Sequence, residues 1–267
     1  MTLLSFTTCQ AAIAEPMCAD VVRYLAGRLD IETRFIADIA WEMRERLLYA
    51  GQIDAGWICG APYVRATGEP DAPIELLAAP VFAAPRYQNR PIYFSDVVVR
   101  RDSPYRSFAD LRGARWVYNT RGSHSGYEVV RYHLARLGLN GDFFGQVIIS
   151  GAHQRSVEMI LGGRADASAI DSTVLELMLA REPALLERLR VIEVLGPSSQ
   201  PPWVIGRHVP AALRRTLREA LIHMHEDAEG RAVLAAYRLA RFALVTDSDY
   251  DDVREMLRVA DARGVQL

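Results

Sequence analysis

The segment Asn119-Thr120-Arg121-Gly122-Ser123-His124-Ser125-Gly126-Tyr127 carries the densest chemistry in the chain. A short apolar run, Trp116–Tyr118, precedes it, and an amphipathic stretch, Tyr127–Leu137, follows and is closed by Gly138. The spacing predicts a strand, a turn and a helix whose buried stripe is Val130, Leu134 and Leu137. Ser125-x-x-Glu128 has the capping-box pattern. The first turn of such a helix presents unpaired N–H groups and the positive end of its dipole. Ser123 and Ser125 add hydroxyl donors, and Gly122 and Gly126 allow close approach of the backbone. Together these groups can cradle an oxyanion. The same residues also suit a well-capped helix and nothing more, and the segment alone leaves both readings open.

Two further residues sit where chemistry is expected. His153, in Ser150-Gly151-Ala152-His153, falls between a strand at Gln146–Ile149 and a helix start. Such a histidine serves a site or simply caps the helix. Asp171 ends the strand Ala167–Ile170, and a carboxylate at the carboxyl end of a parallel strand points toward the ligand crevice. It can bind a cationic group or the proton of a protonated oxyanion, or it can N-cap the helix that follows. His223 and His225 do not share a helix face, so they make no metal pair. No nucleophile elbow, P-loop or zinc-protease signature occurs. No catalytic residue, metal ligand or cofactor is assigned.

The elements that must hold these residues read as α/β. Short apolar strands alternate with amphipathic helices: Leu3–Thr8, then Ala19–Leu29, then Trp41–Ala50 stopped by Gly51, then Asp54–Ile58. A partial repeat links Gly51-Gln-Ile-Asp54-Ala55 with Gly163-Arg-Ala-Asp166-Ala167, each a helix end, a glycine C-cap and a strand opening with Asp-Ala. Proline-bearing stretches at Ala79–Pro91 and Gly196–Pro202 read as crossings between two lobes. The expectation is therefore a first lobe of residues 1–88 and 200–267 with residues 89–199 inserted as the second. Each lobe is expected to be a mostly parallel sheet flanked by helices, with two crossing strands as the hinge.

Composition narrows the function classes. The chain has 267 residues, 50% of them hydrophobic and 24% charged, which suits two modest folded lobes. A formal net charge of −2 argues against a broad nucleic-acid face. Cys9, Cys18 and Cys59 form no disulfide framework and no C-x-x-C pair. No apolar run reaches membrane-spanning length, so no direct membrane insertion is expected. The opening residues show no basic n-region or apolar h-region. The expected compartment is the periplasm if a leader was removed, and otherwise the cytoplasm.

Taken in series, the motifs resemble a family. The segments are Gly51-Gln-Ile-Asp54-Ala…Gly60-Ala-Pro62-Tyr63-Val, Tyr93-Phe-Ser-Asp-Val-Val-Val-Arg100-Arg-Asp-Ser103-Pro-Tyr and Ser107-Phe-Ala-Asp110-Leu-Arg-Gly113. Then come Asn119…Gly122-Ser-His-Ser-Gly126-Tyr, Phe143-Phe-Gly145…Ser150-Gly-Ala-His153 and Gly163-Arg-Ala-Asp166-Ala-Ser-Ala-Ile-Asp171-Ser172. Their order and spacing resemble the substrate-binding components of phosphate, phosphite and phosphonate ABC transporters, from about Ala37 to near the C-terminus.

The resemblance implies a two-lobed periplasmic-binding-protein fold of type II that captures a small oxyanion between its lobes for uptake or sensing. It implies an ABC transporter permease as partner, no nucleic acid, and a monomer as the default. It places Ser123, His124 and Ser125 on the oxyanion, with Gly126 supplying a backbone N–H, and brings Tyr93, His153 and Asp171 to the ligand. From the other lobe it adds Trp41 and Tyr63. His124 stands where relatives have a small hydroxyl residue, and Trp41 where many have a tyrosine. Phosphonate, phosphate, phosphite, a sulfonate or a carboxylate all remain open as ligand. The alternative is a cytoplasmic enzyme on the same fold, a lyase like those of menaquinone synthesis, with His153 and Asp171 as its acid/base pair.

Overall fold

The computed structural model describes residues 3–69 and 71–267. Met1 and Thr2, where the reading of the chain's opening began, lie outside the described residues. The chain starts with β1 (Leu3–Thr8), α1 (Glu15–Leu29), β2 (Glu32–Ile36), α2 (Trp41–Tyr49), β3 (Ala55–Trp57), α3 (Gly60–Ala66) and β4 (Ile74–Phe82). It continues through β5 (Ile92–Arg100) and β6 (Arg115–Tyr118) into a π-helical turn, His124–Glu128, and α4 (Val129–Arg136). Then come β7 (Gln146–Ile149), α5 (His153–Leu161), β8 (Ala167–Asp171), α6 (Ser172–Arg181), α7 (Leu185–Arg188) and β9 (Leu189–Ser199). The last elements are β10 (Trp203–Gly206), α8 (Ala211–Ile222), α9 (Ala228–Ala236), β11 (Leu239–Ala243) and α10 (Asp251–Ala262).

Two compact units result: the chain up to Ile92 with Ser199–Asp251, and Tyr93–Ser198 with Asp252–Leu267. The C-terminal stretch departs from the expectation, which put it in the first lobe and allowed only two crossings. The chain passes a third time, at Asp251/Asp252. Packing explains the difference. Met256 and Val265 are buried in one core cluster with Trp116, Tyr127 and Leu134 of the second unit. Arg131 of α4 donates to Asp261 at 2.7 Å and to the Val265 carbonyl at 2.7 Å.

The sheet of the first unit runs β11-β4-β10-β3-β1-β2, and that of the second β7-β6-β8-β5-β9. They are mixed rather than mostly parallel. β1 is parallel to β2 and to β3, while β10 is antiparallel to β3 and β4, and β11 to β4. In the second unit β6 is parallel to β7 and β8, and β5 is antiparallel to β8. The parallel pairs arise where a helix carries the chain back between strands. The strands that begin at or after a passage between units, β5, β10 and β11, run against their neighbours.

The partial repeat has a structural counterpart. Gly51 and Gly163 each take φ +69°, in the left-handed region that a side chain resists. The aspartates three residues on then grip the neighbouring parallel strand. Asp54 accepts from the Ser5 N–H at 2.7 Å, and Asp166 from the Arg115 N–H at 2.8 Å. Buried aromatic residues tie the second unit's sheet to the segments that connect its elements: Trp116 of β6 stacks on Phe144 with centroids 4.6 Å apart, and Phe108 on Phe143 at 5.5 Å.

Candidate functional site

Three adjacent parallel strands, β7, β6 and β8, deliver the candidate residues of the second unit at their carboxyl ends. Asn119 follows β6, His153 opens the helix after β7, and Asp171 ends β8. The turn before His153 is tied to the end of β6, with the Ser150 N–H on the Tyr118 carbonyl and the Gly151 N–H on the Asn119 carbonyl, both at 2.9 Å. Gly151 makes this turn at φ +88°. The register thus brings His153 beside Asn119 across 34 residues of sequence.

The helix start differs from the capping-box expectation. Ser123, in an extended conformation, is the N-cap, and its hydroxyl accepts from the Gly126 N–H at 3.0 Å. Glu128 turns to Arg131 instead, at 2.6 Å, so the Ser125–Glu128 box does not form. The Glu128 N–H reaches back to the Ser123 carbonyl at 3.1 Å, which widens this first turn into a π-helical one. Arg131 is the better partner for Glu128 because both are buried, and a buried carboxylate needs a countercharge.

The widened turn gathers a polar cluster. Ser125 Oγ lies 3.1 Å from His153 Nε2 and 3.5 Å from Ser123 Oγ. Asn119 Nδ2 donates to the same His153 nitrogen at 3.4 Å. Nε2 is then an acceptor, and the ring proton of the neutral imidazole lies on Nδ1. Burial drives the His153 pKa down to about 4, so the ring is neutral near pH 7. His153 Nδ1 and Asn119 Oδ1 are both buried with no hydrogen-bond partner among the described residues. Gly126 leaves room here for Asn119, because a Cβ would fall 2.0 Å from Asn119 Oδ1 and push that side chain aside.

The remaining expected residues divide into three places. His124 is fully buried, and its Nε2 lies 3.0 Å from Ser198 Oγ, with the Tyr93 ring 6.3 Å away between centroids. It is thus held against β9 and β5. Asp171 caps α6, accepting from the Thr173 N–H at 2.8 Å and the Thr173 hydroxyl at 2.7 Å. Burial raises its pKa to about 6 against the lowering effect of those bonds, and Asp96 adds to the rise. Trp41 and Tyr63 belong to the first unit. Trp41 begins α2, and its carbonyl lies 3.8 Å from Cys9 Sγ. The Tyr63 hydroxyl donates to Asp247 at 2.7 Å, and its ring lies 4.7 Å from that of Tyr250.

Sequence reasoning passed over two residues. Asn119 was legible as the residue leaving a strand's carboxyl end, the position where ligand-facing side chains collect. Ser198 meets His124 across 74 residues, and no local pattern marks it.

Among the described residues no group of His, Cys, Asp and Glu could hold a metal ion. No described helix is long and apolar enough to cross a membrane.

Comparison with known proteins follows the same lines. A binding protein component of an ABC phosphonate transporter from Pseudomonas aeruginosa superposes with a TM-score of 0.85 at 16% identity, covering 98% of this chain and 87% of that one. PhnD1 of Prochlorococcus marinus, solved in complex with methylphosphonate, gives 0.83 at 17% identity over 97% and 98% of the two chains. The periplasmic aliphatic sulphonate binding protein of Escherichia coli gives 0.63 at 17% identity, over 97% and 86%. These likenesses establish the type II periplasmic-binding fold. The family of phosphonate ABC transporter periplasmic substrate-binding proteins matches over residues 8–250. The chain therefore belongs to that family, whose members are substrate-binding proteins and not enzymes, and the lyase alternative falls away.

Proposed function

We propose that the chain binds a small phosphorus oxyanion of the phosphonate type at the start of α4 and presents it to an ABC permease in the periplasm. The observation that carries this reading is the polar cluster of buried Ser123, Ser125 and His153 with half-buried Asn119, in which two buried polar atoms are left unpartnered among the described residues. Buried polar atoms normally find partners, so such a pair calls for a ligand or an ordered water.

Ser123 accepts from Gly126 and so keeps its own proton for an anion. Ser125 offers a first-turn N–H, which has no intrahelical acceptor, and its hydroxyl, which donates to His153 Nε2, can turn to the anion while Asn119 keeps that nitrogen bonded. The helix dipole adds a favourable field. Neutral His153 contributes hydrogen bonding without charge, because burial holds its pKa far below neutrality. Gly126 serves by lacking a side chain, since its N–H is used by Ser123. Asp171, with a pKa raised to about 6, selects for the ligand's protonation state, as a neutral acid or as an acceptor for a protonated oxyanion. His124 supports the loop through Ser198, and Tyr93 packs behind it.

The test is a calorimetric titration with methylphosphonate, phosphite, phosphate, methanesulfonate and acetate. Micromolar or tighter binding confined to the phosphorus compounds supports the reading. Binding of acetate or methanesulfonate with no heat from any phosphorus oxyanion would overturn it.

A further inference from the structure

Three arginines of the second unit gather outside the cluster at the start of α4. Arg106 Nη1 donates to the carbonyl oxygens of Ser103 and Tyr105 at 2.5 and 3.1 Å. Arg190 Nη2 donates to the same two oxygens at 3.1 and 2.8 Å. Two cationic groups that share two acceptors must abut. Arg101, on the same turn, donates through Nε and Nη2 to the Leu186 carbonyl at 3.1 and 2.7 Å.

All of these acceptors are neutral, and three carboxylates of the neighbouring chain are engaged elsewhere. Asp102 pairs with Arg100 at 2.8 Å and Asp166 with Arg115 at 2.7 Å. Asp110 accepts from the backbone N–H groups of Arg106 and Ser107, both at 2.8 Å. The Arg190 guanidinium is held below its usual range, first by desolvation and then by the charges of Arg106 and Arg101. Its Nε is buried with no partner among the described residues. Arg101 and Arg106 are exposed. Arg101 also lines an open groove of about 410 Å³ in which Arg100 and Arg188 add further cations and Asp102 and Glu187 supply carboxylates.

Like charges pressed together repel, and a multivalent anion set against them converts that repulsion into attraction. Guanidinium forks suit tetrahedral oxyanions because each can donate two parallel bonds. We propose that Arg101, Arg106 and Arg190 form a second anion site that takes a phosphate group, either free in solution or on a lipid headgroup. The site is built from other residues than the cluster at the start of α4 and does not depend on the ligand proposed there.

Two probes test it at low ionic strength. Inorganic diphosphate is titrated calorimetrically, and co-sedimentation is measured with phosphatidylglycerol vesicles against phosphatidylcholine ones. Each is applied to the wild type, Ser125→Ala, Arg101→Gln and Arg106→Gln, with melting temperatures as the check on folding. Arg101→Gln, at an exposed position, keeps the test usable if Arg106→Gln disturbs the turn. The expected result is that at least one probe binds the wild type and Ser125→Ala equally and binds Arg101→Gln at least fivefold more weakly. Diphosphate binding would assign a free phosphate, and vesicle binding alone a headgroup. The proposal is overturned if neither probe binds, if Arg101→Gln binds as the wild type does, or if Ser125→Ala abolishes binding.

Discussion

Ser125 Oγ and His153 Nε2 stand 3.1 Å apart and join the start of α4 to the start of α5 across 28 residues of sequence. The bond exists because β6 and β7 are parallel neighbours whose carboxyl ends lie side by side. His153 is the only titratable group in the Ser123–Ser125–Asn119 cluster, and burial keeps it neutral. An anion there meets hydroxyls, a helix start and an uncharged imidazole.

Gly126→Ala should disrupt this arrangement through Asn119. The new methyl would lie 2.0 Å from Asn119 Oδ1, so one of the two must move. We expect a loss of about 2 kcal/mol in stability and at least tenfold in oxyanion affinity. Asn119→Ala should relieve the clash, so the double variant should melt higher than Gly126→Ala alone. Additive melting losses would count against this contact.

Arg131→Met should be among the most destabilising single changes in the second unit. It leaves the buried Glu128 carboxylate without its cation and frees the chain end at Asp261 and Val265. A cost of about 3–5 kcal/mol is expected from urea unfolding. Glu128→Gln/Arg131→Met, which removes both charges, should recover part of it.

The acid response of the fold should expose His153 and Asp171 as opponents. The pKa of His153 falls from 6.5 to about 4 on folding, so its contribution is present above pH 6.5 and lost as the pH drops toward 4. Asp171 rises from 3.8 to about 6, so its burial costs stability above pH 6 and the cost fades as the pH falls. Each effect is on the order of 2–3 kcal/mol. Asp171→Asn removes the compensating half. Its stability should fall more steeply than the wild type's between pH 6 and pH 4, measured by urea unfolding at each pH.

Asp171 also sets a prediction for binding. Methanesulfonate keeps a fixed charge across this range, so any pH dependence belongs to the protein. Methanesulfonate binding, weaker than micromolar, should strengthen as the pH falls through 6 and Asp171 loses its charge. In Asp171→Asn the profile should be flat down to pH 5. An unchanged profile in the variant would exclude Asp171 from the site.

Much of this was legible in the residues. Gly51-x-x-Asp54 and Gly163-x-x-Asp166 announced two like α/β units, because a left-handed glycine and a strand-gripping aspartate leave a local pattern. The Ser123–Gly126 helix start was legible for the same reason. Its details were not, because the choice between Ser123 and Ser125 as cap depends on Arg131 drawing Glu128 away. The tie of His124 to Ser198, the place of Asp252–Leu267 in the second unit and the mixed strand directions all depend on contacts between distant segments. Periodicity within a window carries no information about these.

The central claim is tested most directly by the dissociation constant of methylphosphonate for the wild type and for Ser125→Ala, at pH 7 and with melting temperatures in hand. The account predicts tight binding to the wild type and a loss of about 10- to 100-fold in the variant, with little change in melting temperature. Equal affinities in two folded proteins would contradict it and move the ligand away from the start of α4.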